Sequence, residues 1–333
     1  MAVRVSMKKQ PTVDVIIPAY NGLPYLKAAV DSVLAQSYDN FNIYVIDDGS
    51  TDKGATEKYV KGIKDKRVKY FRKANGGQAT ARNYGIEVSS APFVTFLDSD
   101  DVWNEDKLQK QVDYIRRNPQ FGMVYGYHTL VNEKGQTVGR VNYNREGHLF
   151  NYLLSGNKIS GSGSMVMVKR AVLQDVGLFR EDFLIGEDWE MWLRVAQKYE
   201  IGCVHRYLAE LRLLPEGMQK DYLKMARGLE YMLPIMLREF KLGPRGKARL
   251  RGACLYDASV YYFLGGDRAR ARSTFLKVMA YNPRRIKIRR DLLFIYARAL
   301  FGNETLRKFR RAVSPAYRRR EREYRLEQQK KGH

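Results

Sequence analysis

The sequence predicts an α/β fold with a mostly parallel central sheet and helices on both faces, followed by a basic all-helical C-terminal region. Short β-branched apolar runs alternate with stretches of helical spacing over the first hundred residues, as in a sheet whose crossover helices cover both faces. Each apolar run stops at a polar turn, the place where open α/β sheets collect ligands. After about residue 215 the strand signals fade and amphipathic helices dominate. A chain of 333 residues, 44% hydrophobic, has room for two or three domains and is neither disordered nor collagen-like. Its two cysteines, Cys203 and Cys254, lack the spacing of a zinc site or a disulfide framework and imply a reducing compartment.

Val13 to Pro18 (VDVIIP) reads as a buried strand closed by a proline, and Leu23 to Gln36 as a helix with Leu26, Ala29, Val30, Val33 and Leu34 on one face. Asn40 to Ile46 is the next strand, stopping at Asp47. The alternation continues with a helix over Ala55 to Ile63, a strand over Val68 to Phe71, a helix over Gln78 to Val88 and a strand over Phe93 to Leu97. Lys107 to Arg117 reads as a helix, Met123 to Leu130 and Thr137 to Val141 as strands. Gly161 to Ser164 reads as a flexible loop before a strand over Met165 to Val168. Helices are expected over Ala171 to Val176, Glu187 to Lys198, Asp221 to Phe240, Gly246 to Leu264, Arg268 to Tyr281 and Ile286 to Leu300. The segment from Tyr261 to Asp267, with Ala269, Ala271, Phe275 and Asn282-Pro283, resembles a single tetratricopeptide-type hairpin, which must lean on neighbouring helices because one repeat cannot bury its own faces.

The charge is divided unevenly. Residues 1 to 200 hold 27 Lys+Arg and 24 Asp+Glu, whereas residues 201 to 333 hold 32 and 12, so most of the net +23 belongs to the C-terminal part. Arg284-Arg285, Arg289-Arg290 and Arg318-Arg319-Arg320 suit either an anionic membrane surface or a solvated face; nucleic acid is not an expected partner. No apolar stretch is long enough to span a bilayer, and the N-terminus has no apolar signal core, so the expected location is the cytoplasm, with peripheral association at the inner face of the membrane as its extension.

Three strand ends and one helix start carry the candidate chemistry. Asp98-Ser99-Asp100-Asp101 presents hard oxygens suited to Mg²⁺ or Mn²⁺, although the same residues also make ordinary turns and caps. Asp47-Asp48-Gly49-Ser50 is either a tight turn or a pair of acceptors for base or ribose groups. Arg82, on the helix after Asn75-Gly76-Gly77, either reaches a ligand or pairs with one of the acids. Glu187-Asp188 opens a helix, where acids compensate the dipole or act as a base. Trp192 reads as a core residue, and Trp189 and Trp103 as core residues or aromatic walls of a pocket.

The runs IIPAYNG, VIDDGSTD, ANGGQATARNYGI and FLDSDD, in this order and spacing, resemble the family 2 glycosyltransferases over about residues 11 to 215. The resemblance implies the Rossmann-like GT-A fold for residues 1–215, leaving the helical pattern of 216–333 as a separate basic region, and inverting transfer of a sugar from a nucleotide-sugar donor to a glycan or lipid-linked acceptor, in cell-envelope or exopolysaccharide synthesis. It places Pro18, Tyr20, Asp48, Arg82 and Asp98 at the nucleotide, and Asp98 and Asp100 on a divalent cation (Mn²⁺ or Mg²⁺) with Asp101 adjacent. Asp188 becomes the base, with Glu187, Trp189 and Gly163 at the acceptor. Many relatives carry a histidine near the metal where this chain has Leu214, and the Gln-x-x-Arg-Trp motif of processive relatives is missing, so one or a few sugars per encounter are expected. The rival readings are a non-catalytic module that binds membrane or nucleic acid through its basic helices, and a nucleotidyltransferase.

Overall fold

The structure, a computed structural model, describes residues 12–159, 161–214 and 221–281. Strand β1 (Val13–Ala19) lies between β2 (Phe41–Asp47) and β4 (Phe93–Phe96), parallel to both, and β2 pairs in parallel with β3 (Val68–Arg72). The register sets Ala19 beside Asp47 and Ile16 beside Phe96, so the polar segments that follow these strands emerge along one edge. The crossovers are α1 (Leu23–Leu34), α2 (Ala55–Gly62) and α3 (Gln78–Glu87). This half follows the expected elements closely.

Beyond β4 the sheet turns mixed. β8 (Met167–Lys169) runs antiparallel to β4 and to β6 (Phe121–Val131), and β6 is parallel to β9 (Glu200–Arg212). β5 (Val102–Trp103) and β7 (Thr137–Val141) add antiparallel edges. The expected parallel pairing holds for β3-β2-β1-β4 and for β6 with β9, whereas β8, β5 and β7 join antiparallel, because hydrophobic periodicity reports burial and not strand direction. The long strand β9 was not anticipated from the sequence: its pairing with β6 shifts register around Gly126, Tyr127 and His128, and a bulge resets the alternation by which a strand is read. Ser162–Met165, expected as loop and strand start, forms a 3₁₀ turn.

Helices cover both faces. On one, Leu26, Val30 and Val33 of α1 and Leu108, Val112 and Ile115 of α4 (Lys107–Arg117) pack against β1, β2 and β6. On the other, α3, α6 (Arg170–Val176) and α7 (Glu187–Lys198) share an apolar cluster that continues into α8 (Tyr222–Glu239), α9 (Pro244–Leu264) and α10 (Arg268–Tyr281). Ala226, Met232, Met236, Tyr262 and Phe275 are as buried there as Trp189 and Trp192. Each fully buried large aliphatic side chain contributes about 1.5–3 kcal/mol, so this shared cluster fixes the helices to the sheet. α9 and α10 form the expected hairpin, turning through Gly265 to Asp267; Asn282-Pro283, the predicted helix over Ile286 to Leu300 and the arginine clusters lie outside the described residues. No helix among the described residues is long and apolar enough to cross a membrane.

Candidate active site

The first two strand ends are tied together by backbone and side-chain bonds. Asp48 N–H donates to Ala19 O at 2.8 Å, and Thr51 N–H donates to the Asn21 side-chain oxygen at 2.8 Å. The Asp48 carboxylate accepts from Lys73 Nζ (2.7 Å), Gly76 N–H (3.0 Å) and Gly77 N–H (2.7 Å), which fixes the glycine turn before α3. Pro18 is buried within β1, whereas Tyr20 just beyond it is half exposed, at 51%. Tyr20 thus presents an exposed aromatic ring beside the strand end at which Asp48 is buried.

Arg82 joins the two halves of the site. It is fully buried on α3, and its guanidinium donates to Asp98 Oδ1 at 2.8 Å and to Glu187 Oε1 at 2.9 Å. Burial opposes its charge, but Asp98 and Glu187 outweigh burial. Gln78 adds a third constraint, donating to Asp98 Oδ1 at 2.6 Å. Gly163 closes over this bridge: a Cβ there would lie 2.9 Å from Phe96 Cβ and 3.3 Å from the Arg82 guanidinium. Of the two readings open for Arg82, the structure displays pairing with acids, and with two acids at once.

Glu187 and Asp188 begin α7 after Gly186, whose φ of 74° is left-handed. Asp188 accepts from Trp189 N–H at 2.6 Å and from Asn157 Nδ2 at 3.0 Å. Burial raises its carboxyl above the ordinary range, while Arg82, the Trp189 N–H and Asn157 pull it back. Glu187 is pushed up to about 7, first by burial and then by Asp188. Buried acids with raised pKa values are suited to accept a proton near neutral pH.

The third strand end is crowded with negative charge. The Ser164 hydroxyl accepts from Asp98 N–H and donates to Asp101 Oδ2 at 2.6 Å, and Arg212 N–H donates to Asp101 Oδ1 at 3.1 Å. Asp100 is pushed up to about 6 by burial and then by Asp98, and Asp101 is raised well above its usual range by burial and by both neighbours. Both Asp101 oxygens already have donors and Asp98 Oδ1 is taken by Gln78 and Arg82, so a cation at this turn would rest on Asp98 Oδ2 and Asp100. Among the described residues no group of three or more His, Cys, Asp or Glu side chains is arranged to hold a metal. One or two carboxylates nonetheless fit Mg²⁺ or Mn²⁺, which commonly complete their shell with water and substrate phosphate. Leu214 follows β9 and offers no ligand.

The tryptophans settle inward. Trp189 is 3% exposed with its indole N–H on Leu153 O, so the expected acceptor-side stacking gives way to a core position. Trp103, the other candidate pocket wall, is equally buried, with its indole N–H on Ser164 O and Lys107 Nζ 3.7 Å from its ring centroid. Trp192 is core, as expected. Gln78, Ser164 and Asn157 were not singled out from the sequence. Gln78 and Ser164 lie inside segments that were, whereas nothing in the local sequence marks Asn157.

The glycosyl transferase family 2 model matches residues 14–177. An uncharacterized glycosyltransferase of Rickettsia conorii is 37% identical over 202 residues, covering 60% of this chain and 33% of the relative. This chain thus spans about a third of that protein's length. TuaG of Bacillus subtilis, a putative teichuronic acid biosynthesis glycosyltransferase, is 30% identical over 221 residues, covering 66% of this chain and 85% of the relative. Among solved structures, the mannosyltransferase PcManGT of Pyrobaculum calidifontis, in complex with GDP-Man and Mn²⁺, aligns with TM-score 0.54 at 19% identity over 89% of this chain and 88% of that one, which establishes the shared fold. The ordered strand-end motifs, the GT-A arrangement they fold into and these matches together make the chain a member of glycosyltransferase family 2.

Proposed function

We propose that the protein transfers a sugar from a nucleotide-sugar donor to an acceptor hydroxyl with inversion at the anomeric carbon. The observation that supports this most is the Arg82 bridge, which draws Asp98 at the end of β4 and Glu187 at the start of α7 to one guanidinium. In this reading Tyr20 and Asp48 receive the nucleotide, with Pro18 shaping the wall behind them and Arg82 steadying Asp98. Asp188 removes the acceptor proton as the hydroxyl attacks, a contribution commonly worth about 10²- to 10⁴-fold. Glu187 stands beside the acceptor, and Gly163, whose missing Cβ leaves room for Arg82 and Phe96, belongs to the same acceptor side. Asp98 and Asp100 would hold a divalent cation, which when bound neutralises charge on the departing diphosphate.

Residues 1–215 form the catalytic domain on this proposal and residues 216–333 a basic helical region. The name of the TuaG relative supports a place in cell-envelope glycan assembly, with a glycan or lipid-linked acceptor. The excess of Lys and Arg after residue 200 favours contact with an anionic membrane surface. A screen of UDP- and GDP-hexoses, reading nucleoside diphosphate release with and without Mn²⁺, tests the activity. Release that depends on one donor and on the cation is expected. No release from any donor would point instead to a non-catalytic binding module, and nucleotidyl transfer is separated by a second assay with nucleoside triphosphate and a hexose 1-phosphate, in which it would release pyrophosphate.

A further inference from the structure

We propose that Tyr222 of α8 and Tyr261 of α9 form a stacking platform for a pyranose ring of the acceptor, next to Asp188. This assignment rests on the glycosyl-transfer reading above and adds to it the part of the chain that recognises the acceptor. Both tyrosines lie outside residues 14–177, so the platform belongs to this chain's helical region.

The helices connect to the base through two sets of contacts. A Cβ on Gly186, the residue before Glu187, would lie 2.7 Å from Met232 Sδ, and a Cβ on Gly228 would run into the Ile185 side chain. α8 therefore rests directly on the turn that delivers Asp188. Asn157, the donor to Asp188, follows the short helix α5 (Phe150–Leu153). Arg249 of α9 reaches Asn151 of that helix at 3.5 Å, and Leu154 lies 3.5 Å from where a Cβ of Gly246 would stand. Both segments that hold Asp188, the turn into α7 and the stretch around Asn157, are thus anchored to the helical region.

Tyr261 lies within electrostatic reach of Asp188. Burial first, then Asp257 and Asp188, push its phenol up to about 12, which keeps the hydroxyl a neutral donor. Its ring and that of Tyr222 have centroids 6.4 Å apart and planes 18° apart. Near-parallel rings at that separation are strongly displaced, so each leaves part of a face uncovered by the other. Tyr222 and Tyr261 are both only half-buried, whereas the adjacent Tyr262 points into the core and donates to Glu230. A pyranose has the matching shape, with an apolar C–H face for the tyrosine rings and edge hydroxyls for Asp188 and Asp257. The observations favour a neutral sugar ring over a phosphate here, since the charged groups named around the platform are carboxylates.

The test is saturation-transfer NMR on the full chain with the methyl glycosides of glucose, galactose and N-acetylglucosamine. Ring protons of at least one glycoside should be saturated by the wild type, by Asp188→Asn and by Tyr261→Phe. Affinity should fall about fivefold to tenfold in Tyr222→Leu and Tyr261→Leu, the loss expected of one ring contact. Nucleoside diphosphate binding in the same samples reports an intact fold. A fluorine on the ring of Tyr222 or Tyr261 gives a second readout that removes no side chain, and its resonance should move when the glycoside is added. Undiminished affinity in the leucine variants, unmoved fluorine resonances, or no saturation by the wild type would each overturn the platform. Sugar binding without nucleoside diphosphate release from any donor would sink the transfer reading and leave the platform standing.

Discussion

Arg82 pays for its burial through two carboxylates, and that dependence is testable by substitution. Removing one partner of a buried ion pair strands the other charge and costs about 3–5 kcal/mol. Arg82→Met should lose stability on that scale in urea, and Arg82→Lys should fall between it and the wild type, because an ammonium cannot span Asp98 and Glu187 as a planar fork does. A methionine variant as stable as the wild type would show that the bridge contributes nothing. His128 carries a separate consequence. Burial holds its imidazole down at about 4, it is 2% exposed, and its Nδ1 has no hydrogen-bond partner among the described residues. The unfolded chain takes up a proton on this residue near pH 6.5 and the folded one only near 4, so stability falls as pH drops through that window. The linkage amounts to at most about 3 kcal/mol. Urea midpoints at pH 7 and pH 4.5 should differ less in His128→Phe than in the wild type, and equal differences would contradict the assignment.

At the scale of elements, the turn into α7 carries the most. Gly186 adopts φ 74°, a conformation that costs an L-residue about 1–2 kcal/mol, and a Cβ there also meets Met232. Gly186→Ala should therefore destabilise the protein by at least that amount in urea and lower sugar transfer by displacing Glu187 and Asp188. An alanine variant with wild-type stability and turnover would mean that the helix start tolerates movement. The first four strands, their crossovers and the acids at their ends were readable from the sequence because periodicity, turn residues and motif spacing agree over residues 13 to 101. β9 was not, since its bulged pairing with β6 scrambles the alternation, and strand direction beyond β4 leaves no mark in hydrophobic pattern. The site was legible as a set of acids. What held them was not: Gln78, Ser164 and Asn157 act through contacts 20, 63 or 66, and 31 residues away in sequence. Trp189 and Trp103 show the converse, since an indole at a site-like position in sequence can point either way, and only packing decides.

At the scale of the molecule, the sheet and the helical region share one apolar cluster, from Phe96 and Trp189 through Met232 to Phe275. Unfolding should then be a single cooperative transition, with fluorescence of Trp103, Trp189 and Trp192 coinciding with far-ultraviolet dichroism. Helices that melt before the tryptophans report would contradict a common core. Cutting the chain after residue 215 should bare Phe183, Ile185 and Trp189 and yield a protein that binds apolar dyes. The convergence of donor-side and acceptor-side acids is tested most directly by measuring sugar transfer and donor affinity together in Asp188→Asn. Transfer lowered at least about 10²-fold, with nucleotide-sugar affinity close to that of the wild type, is the expected result. Wild-type turnover in that variant would mean that the proton leaves by another route and that the carboxylates gathered around Arg82 do not form the reaction centre.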